Sequence, residues 1–267
     1  MNSRTQIVAT IGPSSKTKEI IKEMAEKGMD VARLNFSWGT HQEMSDFVRM
    51  IREVGSELEK RIPIIQDLSG PREQNVEGFG HHFDKDACDV ITEKDKQDLE
   101  WAESNEPEYV ALSYVGSGKD VSGLRDVLKE KNIKAKIIAK IERQRAVENI
   151  DEILKEADAV MVARGDLGNE VPLEQIPFIQ KDLIEKANQA GKPVIVATEM
   201  MSSMMEKDIP TRSDVTDVAN AVLTNADAIM LSNETATGDN PTDVVLMMEK
   251  IAVEAERHGE ERDTNVL

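Results

Sequence analysis

One cysteine, Cys88, stands in a chain of 267 residues. No intrachain disulfide and no cysteine metal cluster can form, so Cys88 reads as a bystander thiol and a reducing cytoplasm is the expected location. Cations are also in short supply: 33 Lys and Arg face 51 Asp and Glu, a formal charge of −18. A nucleic-acid or anionic-membrane partner needs a basic surface, so both are disfavoured. A small anionic substrate is not, because a few inward-pointing cations can dominate a concave site. No apolar run approaches the roughly 18 residues of a membrane span. The first six residues carry no signal-peptide pattern, and no G-x-G-x-x-G follows the first strand-like run.

What is present is a regular alternation. With 39% hydrophobic and 31% charged residues the chain can bury a sizeable core. Eight short apolar runs fall at residues 5–11, 31–34, 62–66, 109–113, 136–141, 159–162, 193–197 and 228–231. They are continuous rather than alternating, as parallel strands covered on both faces should be. Helical patterns follow them at 16–27, 41–60, 94–104, 119–131, 150–156, 173–190, 212–223 and 242–256, several closed by glycine, as at Gly28 and Gly191. Eight β/α units predict an α/β fold, a single-domain (β/α)8 TIM barrel over residues 1–267; a doubly wound open sheet is the runner-up. Residues 68–92 read as one long loop without a clear strand or helix, and loops of that length tend to be functional or disordered. The charged tail, 257–267, is expected to fray.

In such a barrel the site lies at the C-terminal ends of the strands. Those ends carry Arg33, Asn35 and Ser37; Asp67; Lys140 and Glu142; Ala163, Gly165 and Asp166; Thr198; and Ser232 to Thr235. Residues i and i+2 of a strand share a face, so Lys140 and Glu142 point to one place. Neighbouring strands lie about 4.8 Å apart, which lets Glu142 and Asp166 converge. Two hard carboxylates suit Mg²⁺ or Mn²⁺, and Arg33 with Lys140 suits a phosphate or carboxylate. Gly165-Asp166 can open a helical turn whose free N–H groups bind an anion. An internal ion-pair network closing the barrel is the alternative use of the same charges.

The stretches IVATIGPSS, GMDVARLNFSWGT, IIAKIER, MVARGDLGNEVP, GKPVIVATEM, PTRSDVTDVANAV and AIMLSNETATGDNP occur here in this order. Together they resemble the catalytic barrel of the pyruvate kinase family, over residues 5–256. The resemblance implies that Arg33 and Lys140 hold the phosphoryl group of phosphoenolpyruvate, and that Glu142 and Asp166 bind Mg²⁺ or Mn²⁺. It implies that backbone at Ala163, Gly165 and Asp166, with Thr198, holds the substrate carboxylate, and that Asn35, Ser37, Asp67 and Leu68 form a K⁺ site. The implied reaction is phosphoryl transfer to ADP, leaving pyruvate after a water linked to Thr198 protonates the enolate; Lys140, Arg33 and Thr198 are the implied catalytic residues. A homo-oligomer is left open, with residues 211–214 as a candidate contact.

The departures from the family are local. Residues 68–92 stand where the family inserts a lid domain, and the chain ends after the eighth helix, where the family adds a C-terminal domain. The family's usual Asp-Thr-Lys-Gly-Pro-Glu-Ile-Arg is here Asp67-Leu68-Ser69-Gly70-Pro71-Arg72-Glu73-Gln74. Arg72 is hypothesised to substitute for the monovalent cation. Ser69 and Gln74 weaken the nucleotide side, and without a lid water is poorly excluded. A lyase or decarboxylase of a 2-oxo acid, working through an enolate without ADP or ATP, is therefore the alternative function; a non-enzymatic binding protein is the third. His81 and His82 read as solvated loop residues. Met200, Met201, Met204 and Met205 read as plain packing, and Asp214 and Asp217 as first-turn helix acids.

Overall fold

The computed structural model describes residues 3–74, 81–84, 89–259 and 266–267. The strands are β1 (Gln6–Thr10), β2 (Met29–Asn35), β3 (Ile64–Asp67), β4 (Arg72–Gln74), β5 (His81–Phe83), β6 (Tyr109–Leu112), β7 (Lys136–Ile141), β8 (Ala159–Ala163), β9 (Val194–Ala197) and β10 (Ala228–Leu231). The helices are α1 (Lys18–Lys27), α2 (His41–Glu57), α3 (Glu93–Asn105), α4 (Gly118–Glu130), α5 (Gln144–Glu148), α6 (Ile150–Glu156), α7 (Arg164–Leu167), α8 (Ile176–Gln189), α9 (Arg212–Leu223), α10 (Asn233–Ala236) and α11 (Pro241–His258). Eight strands close in the order β1-β10-β9-β8-β7-β6-β3-β2, every neighbouring pair parallel. This is the (β/α)8 barrel that the alternation of runs predicts.

Local chemistry sets the boundaries. Thr17, Thr40, Thr92 and Thr211 each accept a backbone N–H from the first turn of α1, α2, α3 and α9, which satisfies an otherwise orphaned donor. At Thr40, Thr92 and Thr211 the acid three residues on reaches back to the cap. Gly28 ends α1 at φ +128°, a conformation open to glycine, and the chain turns directly into β2.

Because successive strand residues point to opposite faces, the barrel has two cores. Val8, Val31, Ile65, Ala111, Ile138, Ala159, Met161, Ile195 and Met230 fill the interior. Ile7, Ala32, Ile64, Val110, Ile137, Val160, Val196 and Ile229 pack outward with the helices. The same alternation carries the interior series on to its polar end: Val31 is followed by Arg33, Ile65 by Asp67, and Ile138 by Lys140 and Glu142. All four polar side chains are buried.

One sequence expectation is corrected. The long loop contains an antiparallel hairpin, β4 against β5, with Arg72 opposite Phe83 and Gln74 opposite His81. Strands of three residues are too short to show a period, and Arg, Glu, Gln and His have little strand preference, so tertiary pairing decides them. The final helix continues to His258, and the Leu267 N–H donates to Gln6 Oε1 at 2.8 Å, while residues 260–265 of the tail expected to fray lie outside the described residues. Cys88 lies outside the described residues, as do the side chains of His81 and His82.

Candidate active site

At the strand ends, β2, β3 and β7 bring four charges together away from water. Arg33 donates from Nε to Asp67 Oδ2 at 2.6 Å and from Nη1 to Thr10 Oγ1 at 3.0 Å. Lys140 Nζ lies 3.1 Å from Asp67 Oδ1 and 2.9 Å from Glu142 Oε1, and donates to Ser113 Oγ at 2.8 Å. Ser113 in turn donates to the Leu68 carbonyl at 2.7 Å. Asp67 and Glu142 are each 1% exposed and Lys140 4%, so none of these charges is solvated by bulk water. Asp67 sits between the two cations and holds both toward the barrel axis.

Burial alone would push the Asp67 carboxyl upward, but Arg33 and Lys140, with a smaller contribution from Arg72, hold it below the usual carboxylate range. Glu142 goes the other way. Its burial, helped by the nearby Asp166 carboxylate, outweighs Lys140 and raises its pKa. Asp67 is thus paired with two cations, whereas Glu142 has Lys140 alone and a second carboxylate nearby. Glu142 Oε2 accepts the Tyr114 N–H at 2.6 Å. Glu142 Oε1 touches Lys140 but has no aligned hydrogen bond, and the same holds for Asp67 Oδ1.

Asp166 stands in the first turn of α7, immediately after β8. The Tyr114 hydroxyl donates to its Oδ1 at 3.3 Å, so Tyr114 touches both carboxylates that the sequence singles out as metal ligands. Among the described residues no group of three or more His, Cys, Asp or Glu gathers as a metal cage. Two carboxylates are nevertheless what Mg²⁺ commonly takes from a protein, the remaining positions going to substrate and water. A buried carboxylate whose Oε1 is held only by an ion pair with Lys140, beside a second carboxylate, fits such an ion.

The carboxylate-binding set is differently arranged from the simplest expectation. The Gly165 N–H donates to Thr198 Oγ1 at 2.8 Å, so it is engaged inside the protein. Thr198 Oγ1 donates to the Ala197 carbonyl at 2.6 Å. Its backbone has φ +70°, an uncommon conformation for a β-branched residue. Arg164 holds it there: Nη2 donates to the Thr198 carbonyl at 2.6 Å, and Nη1 pairs with Asp217 at 2.6 Å. Asp217 is thus the partner of Arg164 rather than a plain helix acid. Asp214 does cap α9, and Met200, Met201 and Met204 are packed in the core.

In the expected K⁺ set, Asn35 Oδ1 accepts the Ser37 N–H, the Leu68 carbonyl accepts from Ser113, and Ser37 Oγ is buried without a hydrogen bond. Arg72 donates to the Ser69 carbonyl at 2.7 Å and lies over the Tyr114 ring, 5.6 Å from its centroid. Sequence reasoning misses Ser113, Tyr114 and Arg164. Ser113 closes the run 109–113 and Tyr114 follows it, at a strand end that carries no charge to draw attention.

Fold and site together define a parallel (β/α)8-barrel protein with a buried ionic cluster at the C-terminal mouth. The family described as "Pyruvate kinase, barrel domain" matches residues 2–86 and 72–245. A pyruvate kinase of Thermococcus litoralis is 37% identical over 335 aligned positions, covering 96% of this chain and 70% of that protein. Pyruvate kinases of Sporosarcina psychrophila and Staphylococcus aureus are 36% and 33% identical, each over 95% of this chain and 57% of its own length. The chain belongs to the pyruvate kinase family. The chain thus spans little more than half the length of the two bacterial relatives, and alignments of more than 330 positions against 267 residues place part of the difference inside the barrel sequence.

Proposed function

We propose that this chain acts on phosphoenolpyruvate with a divalent cation, transferring the phosphoryl group to ADP and releasing pyruvate. Family membership supports the reaction class, and one observation carries the assignment of the site. Lys140 is a buried ammonium group paired with Asp67 and with Glu142 Oε1, and Asp166 stands close enough to Glu142 to raise its pKa.

In this reading Glu142 and Asp166 hold Mg²⁺ or Mn²⁺. When bound, the ion supplies Lewis-acid stabilisation of charge on the transferring group. Arg33 and Lys140 orient the phosphoryl oxygens, and Asp67 fixes both cations before substrate arrives, so no reorganisation is needed during reaction. Lys140 also neutralises the enolate oxygen. The Asp166 backbone in the opening turn of α7, next to Ala163 and Gly165, takes the substrate carboxylate. Thr198 Oγ1 spends its proton on Ala197 and one lone pair on Gly165. Its remaining lone pair can orient the water that protonates the enolate.

On the acceptor side, Arg72 takes the place of the monovalent cation. Its charge already contributes to holding Asp67 ionised, so a K⁺ ion bound through Asn35, Ser37, Asp67 and Leu68 is dispensable. A coupled assay with phosphoenolpyruvate, ADP and Mg²⁺ is expected to give ADP-dependent pyruvate at the same rate in potassium-free buffer. A strict K⁺ requirement removes the role of Arg72. Absence of turnover with any cation, or nucleotide-independent breakdown of oxaloacetate, removes ADP as acceptor.

A further inference from the structure

We infer that Tyr114 is a positioning residue for the divalent-cation site, and that the β4–β5 hairpin serves as its brace. This inference rests on the assignment of Glu142 and Asp166 as metal ligands. Tyr114 reaches both carboxylates with two different groups, its N–H to Glu142 Oε2 at 2.6 Å and its hydroxyl to Asp166 Oδ1 at 3.3 Å. The two acids follow different strands, Glu142 after β7 and Asp166 in α7 after β8, and repel each other, so something must fix their relative aim before the ion arrives. Donors that hold a ligand's second oxygen set the direction of the first, and losing such a donor commonly costs 10- to 100-fold in metal affinity.

Tyr114 is itself held from every side. Its backbone lies at φ +56°, a conformation that tertiary contacts must sustain in a bulky residue. Its ring is fully enclosed, with Phe83 of β5 at 5.5 Å between centroids and Arg72 of β4 at 5.6 Å. Arg143 covers the other partner: its guanidinium lies 3.7 Å from the Phe83 ring centroid, and Nη1 donates to the Tyr114 carbonyl at 3.4 Å. Below the ring the chain passes at Gly70, where a Cβ would come within 2.9 Å of Ser113 Cβ and 3.0 Å of Tyr114 Cδ2. Gly70 has φ +63°, so both its conformation and its closeness to Tyr114 require glycine. The short hairpin is thus keyed into the same side chain that touches both acids.

The test is Mn²⁺ binding, measured by titration calorimetry and by electron paramagnetic resonance, on wild type, Tyr114→Phe, Phe83→Ala and Glu142→Gln. Tyr114→Phe keeps the ring and its stack and removes only the hydroxyl. Because that bond is long, the lower end of the range applies, and the dissociation constant should rise by about 10-fold. Its melting temperature without metal should match wild type, with a smaller upward shift on adding Mn²⁺. Phe83→Ala should weaken Mn²⁺ binding in the same direction although Phe83 touches neither acid. If Glu142→Gln loses Mn²⁺ while Tyr114→Phe and Phe83→Ala bind it as wild type does, the brace is wrong and the metal site stands. If Glu142→Gln and wild type bind Mn²⁺ alike, or neither binds it, the metal assignment fails and the brace with it.

Discussion

The two sides of the barrel mouth use buried polar groups in opposite ways. On the side of β2, β3 and β7, Arg33, Asp67, Lys140 and Glu142 bond mostly to one another, and carboxylate oxygens are left without aligned partners. On the side of β9 and β10, Glu234 accepts the N–H groups of Met201 and Ser232, Thr235 donates to the Thr10 carbonyl, and Arg164 grips the Thr198 carbonyl. The second side uses its polar groups to shape the chain. The first concentrates ionic charge in a dry place, an arrangement that is costly as mere structure and useful as a site.

That contrast can be broken most severely at Lys140. Lys140→Met should lower phosphoryl transfer by about 10³-fold, the scale of losing a preorganised donor to developing charge. It should also cost about 3–5 kcal/mol of stability by stranding Glu142 without a cation and leaving Asp67 with Arg33 alone. Steady-state kinetics and urea denaturation check the two effects; a loss of activity under tenfold would make the first side structural as well.

A smaller and purely structural effect is expected across the mouth. Glu234→Gln keeps one oxygen acceptor and loses the other, so it should destabilise by about 1–3 kcal/mol. Mn²⁺ affinity and the Michaelis constant for phosphoenolpyruvate should stay within twofold of wild type. A change in metal affinity would show that the two sides are coupled.

The smallest effect concerns the cap beneath that side. Burial raises the Asp214 carboxyl, but hydrogen bonds from Ser203 and Thr211 more than offset this and leave its pKa below the ordinary value. A carboxylate with a depressed folded pKa stabilises above its unfolded value, near 3.9, and loses that contribution as pH falls through the folded one. Asp214→Ala should therefore cost about 1 kcal/mol at neutral pH. The difference from wild type should shrink below about pH 4. Thermal melts of both proteins across that range measure it, and a difference that persists unchanged in acid would show that packing, not the carboxylate, is what the alanine removes.

Much of the first side is legible in the amino-acid order itself. Val31 to Arg33, Ile65 to Asp67 and Ile138 to Glu142 follow a period of two, so an apolar inward series that turns polar at its end announces a site. Tyr114 is not legible in this way, because its importance lies in which residues meet it rather than in its own charge. Arg164 is visible only as part of a motif; its grip on Thr198 and Asp217 joins residues 34 and 53 positions away. The hairpin escapes notice because three-residue strands of Arg, Glu, Gln, His and Phe carry no readable period.

The sequence alone determined the barrel, the order of its strands, and the four charges that enter its mouth, since an apolar run followed by a helical pattern is a local signal and repeats eight times. Only the tertiary structure decided which oxygens remain without partners, why Thr198 and Tyr114 adopt left-handed backbone, and that a short hairpin locks onto the residue touching both acids. Those outcomes depend on contacts between residues distant in the chain, where burial and competing hydrogen bonds, not local preference, select the arrangement.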